Sequence, residues 1–176
     1  MSIQLRISLF FICSFLYMGT AYADSSTVIR TGSGFAEINQ DGFESTWSYT
    51  LSVEHHFEPF GILLGYTGFD EFSSENSDKT YVEVDLWNAG LVKRLEVSDR
   101  LNINGMFGVN AWSVDATLLN NQVGEDNGSS LWFGVGADLA FKMSRNEFRL
   151  YGLYEHFNDV SGSDINSFSV QLGFEF

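Results

Sequence analysis

The sequence predicts an all-β fold, namely an eight-stranded antiparallel transmembrane β-barrel. Apolar and polar residues alternate repeatedly in segments of about ten residues, the length that a tilted strand needs to cross a bilayer. Short connections alternate with longer polar ones along the chain. The composition combines 17 Phe and 17 Gly with a single Pro, which suits a barrel with aromatic girdles and a polar interior.

Each strand is assigned from this period of two, because successive side chains of a strand point to opposite faces. In "STWSYTLSVEHHF", for example, Trp47 and Leu51 share an apolar face, whereas Ser48 and Thr50 share the polar one. The alternation is strictest in the last segment, "SFSVQLGFEF". The predicted strands span residues 28–38, 45–57, 60–70, 80–94, 101–115, 130–142, 147–157 and 166–176.

The fourth strand departs from this pattern. In "YVEVDLWNAGLVKRL" the apolar residues Val82, Val84 and Leu86 are even-numbered, whereas Ala89 and Leu91 are odd-numbered. Either one face tolerates Trp87, or a β-bulge near Trp87 and Asn88 shifts the register by one residue. We favour the bulge.

The connections between strands predict which end of the barrel is which. Residues 58–60, 96–100 and 144–146 are short turns, whereas "FSSENSDKT", "TLLNNQVGEDNGSS" and "NDVSGSD" are longer and polar. Short turns at one end and longer loops at the other are typical of outer-membrane barrels, whose loops face outward.

The first residues predict a secretory signal peptide. Arg6 precedes an apolar run that is too short to span a bilayer, and "AYA" completes a small-residue cleavage site. We therefore expect a cleaved signal peptide over residues 1–23 and one barrel domain over residues 24–176. Cleavage would remove Cys13, the only cysteine, so the exported chain would carry no disulfide.

Charge is unevenly distributed along the chain. The sequence has 9 Lys+Arg against 23 Asp+Glu, a formal net charge of −14, which would repel nucleic acid. The cations cluster near the short turns, and many acids lie in or beside the longer connections. The predicted outer rim is therefore acidic, which argues against a surface built for heparin-like polyanions.

The polar face of the strands points charges of both signs into the predicted lumen. An eight-stranded barrel leaves just enough interior for side chains to fill it, and opposite charges buried there should pair. We expect a packed ionic core, with a narrow ion path as the alternative. The predicted lumen ionic cluster comprises Arg30, Glu54, Glu83, Asp85, Arg94, Asp138, Arg149, Glu155 and Glu175.

Five segments in a fixed order carry a family resemblance: "HFEPFGILLGYTGF", "LWNAGLVKRL", "NGMFGVNAW", "GVGADLAF" and "FSVQLGFEF". With them the chain resembles the OmpA-like outer-membrane β-barrel family, the small eight-stranded kind of Gram-negative bacteria. The resemblance implies an integral outer-membrane protein that contacts lipid and lipopolysaccharide and has no peptidoglycan-binding domain. It also implies that the apolar face of the closing strand is the signal read by the barrel-assembly machinery. Its residues are Phe168, Val170, Leu172, Phe174 and Phe176.

The function expected from these features is structural or surface-interacting, of the adhesion or colonisation type, with a host or matrix ligand at the outer loops. We expect a monomer without catalytic activity, cofactor or metal site. "DNGSS" and "SENSD" offer oxygen ligands, but neither has the spacing of a calcium loop. A small porin-like channel is the alternative.

A lipid A-modifying enzyme is a further alternative, and its candidate residues are histidines. One kind of such enzyme pairs a histidine with a serine on one strand face. However, "YEHFND" has no serine two residues after His156. His55 and His56 adjoin the short turn at 58–60, whereas chemistry on the outer leaflet needs the opposite end.

Overall fold

The chain forms a closed barrel in which each of eight antiparallel strands pairs with the next and the last pairs with the first. The predicted fold class is therefore confirmed. This computed structural model describes residues 25–40, 42–74, 80–118, 121–143 and 146–176. The predicted signal peptide, residues 1–23, lies outside the described residues. The strands are β1 (Ser26–Ile38), β2 (Thr46–Phe57), β3 (Phe60–Ser73), β4 (Thr80–Ser98), β5 (Leu101–Leu118), β6 (Asn121–Met143), β7 (Asn146–Val160) and β8 (Ser163–Glu175).

The outer surface of the barrel is an apolar band. In β2 the residues Trp47 and Leu51 are each 53% exposed, whereas Ser48 and Thr50 between them are buried. Aromatic residues border the band at both ends, as in membrane barrels. One border comprises Phe35, Trp47, Tyr66, Trp87, Tyr154 and Phe168; the other comprises Phe57, Phe60, Phe141, Phe148, Phe174 and Phe176. No helix among the described residues is long and apolar enough to cross a membrane, a finding that concerns helices alone.

Two ends of the barrel are distinguished by their connections. The turn end carries the β2–β3, β4–β5 and β6–β7 connections, and the loop end carries the other four. At the loop end the strands are longer than predicted: β5 and β6 pair from Leu118 and Asn121 downward. The prediction that most of "TLLNNQVGEDNGSS" is a loop is therefore wrong. Residues 124–129 are exposed on both faces, so this part of β6 lacks the alternation that marks a half-buried strand.

β4 has no bulge at the position predicted from the sequence. Pairing continues through Trp87 and Asn88 with both β3 and β5. Trp87 points outward at 54% exposure, and Leu86 is fully buried in the lumen. The prediction failed because it assumed a polar lumen throughout. The irregularity between β3 and β4 lies instead in β3, between Phe69 and Phe72.

Glycine lets β1 and β8 close the barrel tightly. A Cβ added at Gly34 would lie 2.0 Å from the carbonyl oxygen of Phe168 and 2.6 Å from Cα of Ser169. Both contacts are with backbone, which cannot move without disturbing the ladder. The backbone of β8 therefore leaves no room for a side chain at position 34 of β1.

We expect Gly34→Ala to lower the free energy of unfolding by about 1–3 kcal/mol, the usual cost of overpacking. Gly105→Ala is the matched control, because a Cβ added at Gly105 meets nothing within 4 Å. Urea unfolding of both variants in lipid vesicles measures the difference. Equal stability of the two variants would contradict the close approach at the seam.

Candidate functional site in the barrel lumen

A carboxylate in the turn half of the lumen is the centre of one group of charges. Glu54 on β2 is fully buried, and two guanidinium groups approach its oxygens. Arg30 Nη2 lies 3.2 Å from Oε2, and Arg94 Nη2 lies 3.6 Å from Oε1. His56 Nε2 contacts the same Oε1. Glu54 is therefore paired from β1, from β4 and from its own strand, as burial of a carboxylate requires.

A second group of charges forms around a guanidinium. Arg149 on β7 contacts three carboxylates: Asp138 at 2.7 Å, Glu147 at 2.7 Å and Glu175. Asp138 is 1% exposed and also accepts hydrogen bonds from two amides of β5. Asn102 Nδ2 donates at 3.1 Å and Asn104 Nδ2 at 2.8 Å.

The two groups join into one network. Arg94 Nη1 lies 3.9 Å from Glu175 Oε1, which links the Glu54 group to the Arg149 group. The buried Tyr151 lies between them: the Arg30 guanidinium stacks 4.9 Å from its ring centroid, and Arg94 Nη2 donates to its hydroxyl at 3.5 Å. Charged side chains thus cross the turn half of the lumen from several strands.

The loop half of the lumen is filled by aromatic residues. Trp132 and Phe157 stack with ring centroids 6.2 Å apart, and Phe69 lies 5.9 Å from Phe157 and 5.8 Å from Phe72. Trp132, Phe72 and Phe157 are fully buried. We call this group the aromatic layer. With the ionic network in the turn half, it places buried side chains in both halves of the lumen.

The structure brings most of the predicted lumen cluster together. Arg30, Glu54, Asp138, Arg149 and Glu155 are buried, and Arg94 and Glu175 are half-buried within the network. Glu155 lies opposite Gly134 and Ser167 and, within the described ranges, makes no ion pair.

Two residues of that cluster were placed wrongly. Glu83 and Asp85 are exposed on the outer face of β4, where the Tyr66 hydroxyl donates to Asp85. They face outward because no bulge at Trp87 and Asn88 changes the register, so they share the outward face of Trp87.

Sequence reasoning missed the neutral partners of the network and the aromatic layer. Asn102 and Asn104 lie on the polar face of β5, but no local pattern links them to Asp138 on the neighbouring strand β6. Trp132 shares the lumen-facing parity of β6 with Asp138, and Phe157 shares that of β7 with Arg149. The positions of Trp132 and Phe157 in the alternation of their strands could therefore have predicted that part of the lumen is apolar.

The three histidines do not form the arrangement considered for a lipid A-modifying enzyme. His56 belongs to the Glu54 group, and His55 Nδ1 lies 3.0 Å from Thr27 Oγ1 near the turn end. His156 lies at the loop end, where Nδ1 is 2.8 Å from Asn166 Oδ1 and Nε2 is 4.0 Å from Asp164 Oδ2. Within the part of the chain that the structure describes, no serine or threonine hydroxyl bonds to His156.

The residues of the expected assembly signal lie on the outer face of β8. Phe168, Val170, Leu172 and Phe176 are each between 46% and 61% exposed, and Phe174 is half-buried against the rings of Phe148 and Phe176. This placement suits contact with lipid. The role of these residues in assembly stays a prediction.

Comparison with known proteins places the fold among small barrels. No family model matches the chain, and no curated protein matches it. Among solved structures, Ail, the attachment invasion locus protein of Yersinia pestis, aligns with a TM-score of 0.61 at 13% identity, over 86% of this chain and 99% of that one. The N-terminal β-barrel domain of Pseudomonas aeruginosa OprF aligns with a TM-score of 0.60 at 12% identity, over 85% and 97%. Neisserial surface protein A aligns with a TM-score of 0.59 at 11% identity, over 86% and 97%. Identities this low show a shared fold alone.

We expect Arg149→Ala to lower the free energy of unfolding by about 3–5 kcal/mol, because it strips the buried Asp138 of its cation. Arg100→Ala removes an exposed cation at the same end and should change stability by less than about 0.5 kcal/mol. Urea unfolding in lipid vesicles checks both values. An unchanged midpoint for Arg149→Ala would show that the network does not hold the lumen together.

Proposed function

We propose that this protein is an integral outer-membrane barrel of the OmpA-like kind, exported by a cleaved signal peptide, with a structural or surface-interaction role and no catalysis. The main observation in support of this proposal is that buried side chains fill the lumen, while the outer surface of the barrel is an apolar band that suits lipid. A wall of eight strands bordered by aromatic residues suits a bilayer. With buried side chains in both halves of the lumen, the exposed loop end is the surface on which a specific function can lie.

The filled lumen speaks against the channel alternative. An ion crossing the barrel would have to pass the Glu54 and Arg149 groups and then the fully buried Trp132 and Phe157. The charged groups of the ionic network are paired with one another, and the aromatic layer places apolar rings across the path. A stable ion path therefore requires rearrangement of both layers.

The loop end is acidic, which limits the ligands that suit it. Among the described residues the cations lie in the turn half or in the turns: Arg30, Lys93, Arg94, Arg100, Lys142 and Arg149. Carboxylates such as Glu37, Asp70, Asp115 and Glu125 occupy the loop end. Ail has been solved in complex with the heparin analogue sucrose octasulfate. On this chain the field at the loop end would repel such a polyanion, so we propose a cationic partner instead.

The proposed orientation predicts which residues are accessible on intact cells. Ser129→Cys at the loop end should react with a membrane-impermeant maleimide, whereas Asp99→Cys in the β4–β5 turn should react only after lysis. Both positions are exposed, and Cys13, within the predicted signal peptide, is the chain's only native cysteine. Labelling of both variants on intact cells, or of neither, would contradict outer-membrane insertion with the loops outward.

The side chains that fill the lumen predict whether the pure protein conducts ions across a bilayer. In a planar bilayer we expect no steady current above that of the lipid alone, because both halves of the lumen are filled. The folded state of each preparation is checked by its shifted gel mobility before heating. A stable, ion-selective single-channel current from folded protein would instead support the channel.

A further inference from the structure

One strand of the barrel has a partner on only one side near the loop end. β6 pairs with β5 along its whole length, up to Leu118 and Asn121. Its pairing with β7 begins only at Trp132, opposite Phe157. The segment Asp126–Leu131 therefore presents one side of its backbone to no neighbouring strand among the described residues. We call this segment the open edge.

The open edge exists because β7 turns away before it reaches the top of β6. The pairing of β7 with β8 shifts register between Phe157 and Val160, and Asp159 and Ser161 adopt φ values of 53° and 50°. The chain then reverses at Gly162, whose φ is 83°. The resulting β7–β8 turn touches the open edge through a side chain: Ser161 Oγ donates to Asp126 Oδ2 at 2.6 Å.

The alternation of strand hydrogen bonds shows which groups face outward from this edge. Asn127 N donates to Asp126 Oδ1 at 2.9 Å, whereas Ala140 N, of the opposite parity in β6, donates toward the β5 side, to Arg100 O at 2.7 Å. In an antiparallel ladder the residues that do not bond to one neighbour direct both N–H and C=O to the other side. Ser129 and Leu131 have the same parity as Asn127, so they also offer their backbone groups to a further strand.

The sheet that ends in the open edge at β6 has its other edge at β3, and the chain itself covers that edge. β3 rises past its last pair with β2, Ser48 and Phe69, but the β1–β2 connection caps it. Phe43 bridges to Ser74, and Glu44 N donates to Ser73 O at 2.9 Å. Within the ranges that the structure describes, the edge of β6 is therefore the one left for an outside partner.

We propose that the open edge binds an extended, basic segment of a partner protein as an added β-strand. This deepens the proposed function and rests on its orientation, in which the loop end faces outward. Residues 126–129 are exposed, and an unpaired row of N–H and C=O groups is a template for strand addition. At about 3.3 Å per residue the edge offers roughly 20 Å of backbone.

Charge selects the partner. Two exposed carboxylates lie at this edge: Asp126 is part of it, and Asp159 lies at the end of β7, two residues before the Ser161 that contacts Asp126. A second copy of this chain would bring the same carboxylates against them, and like charges across strands are destabilising. A strand that carries lysine or arginine would meet the opposite charge.

The test uses the full barrel in lipid nanodiscs and a fluorescent peptide that alternates lysine with threonine or valine, read by anisotropy. Three comparison peptides have the same length: one with glutamate for lysine, one with alternate backbone nitrogens methylated, and a scrambled basic one. We expect the basic peptide to bind at least tenfold more tightly than the acidic and methylated ones. Methylation keeps the charge but removes the donors that a new ladder needs.

Two variants of the barrel locate the site. Ser129→Pro removes an edge N–H without removing a bond to β5, and should weaken binding of the basic peptide at least tenfold. Ser129→Ala keeps that N–H and should bind as the parent does. Both are checked for folding by gel mobility.

Three results would overturn the proposal. Equal affinity of the methylated and unmethylated peptides would reduce the interaction to charge alone, and absence of binding by any basic peptide would exclude the site. A dimer in light scattering whose formation Ser129→Pro abolishes would identify a second copy as the occupant. None of these results affects the labelling test of membrane insertion, so the two proposals fail separately.

Discussion

The pairing of β1 with β8 is the constraint on which the rest of the molecule depends. Inside a bilayer every backbone N–H and C=O needs a partner within the protein, so a sheet must close on itself. Here the ladder runs from Val28 opposite Glu175 to Ile38 opposite Ile165, and Thr27 and Phe176 add two reciprocal bonds of 3.0 Å. Closure with eight strands leaves an interior that side chains alone can fill.

That narrow interior explains why the lumen has two kinds of filling. A buried polar group is costly unless it is bonded, and a buried charge more so. The turn half meets this requirement by pairing: Arg30 with Glu54, and Arg149 with carboxylates on both sides. The loop half is filled largely by uncharged side chains such as Trp132 and Phe157, and the buried Glu155 lies beside them, opposite Gly134 and Ser167. Both solutions produce the same result, a barrel wall supported from within and no open path through it.

Local pattern was enough to predict the strands and most of the inward charges, because the alternation of a strand is fixed by its own residues. Prediction from the local pattern failed where the environment of a strand changes along its length. Glu83 and Asp85 lie above the apolar band, where the outer face meets water and a carboxylate is no longer excluded. The top of β6 has water on both faces, so it shows no alternation at all. Pairings such as Arg149 with Asp138 depend on register around the ring, which no single segment encodes.

The negative charge of the loop end and the open edge of β6 are physically related. An exposed, unpaired strand is a hazard, because it can pair with another copy of the same edge. Negative charge around Asp126 opposes that pairing by mutual repulsion. The same field attracts positively charged chains and repels polyanions. Protection against self-association and selection of a basic partner therefore follow from one distribution of charge, in which the cations of the described residues lie in the turn half or in the turns.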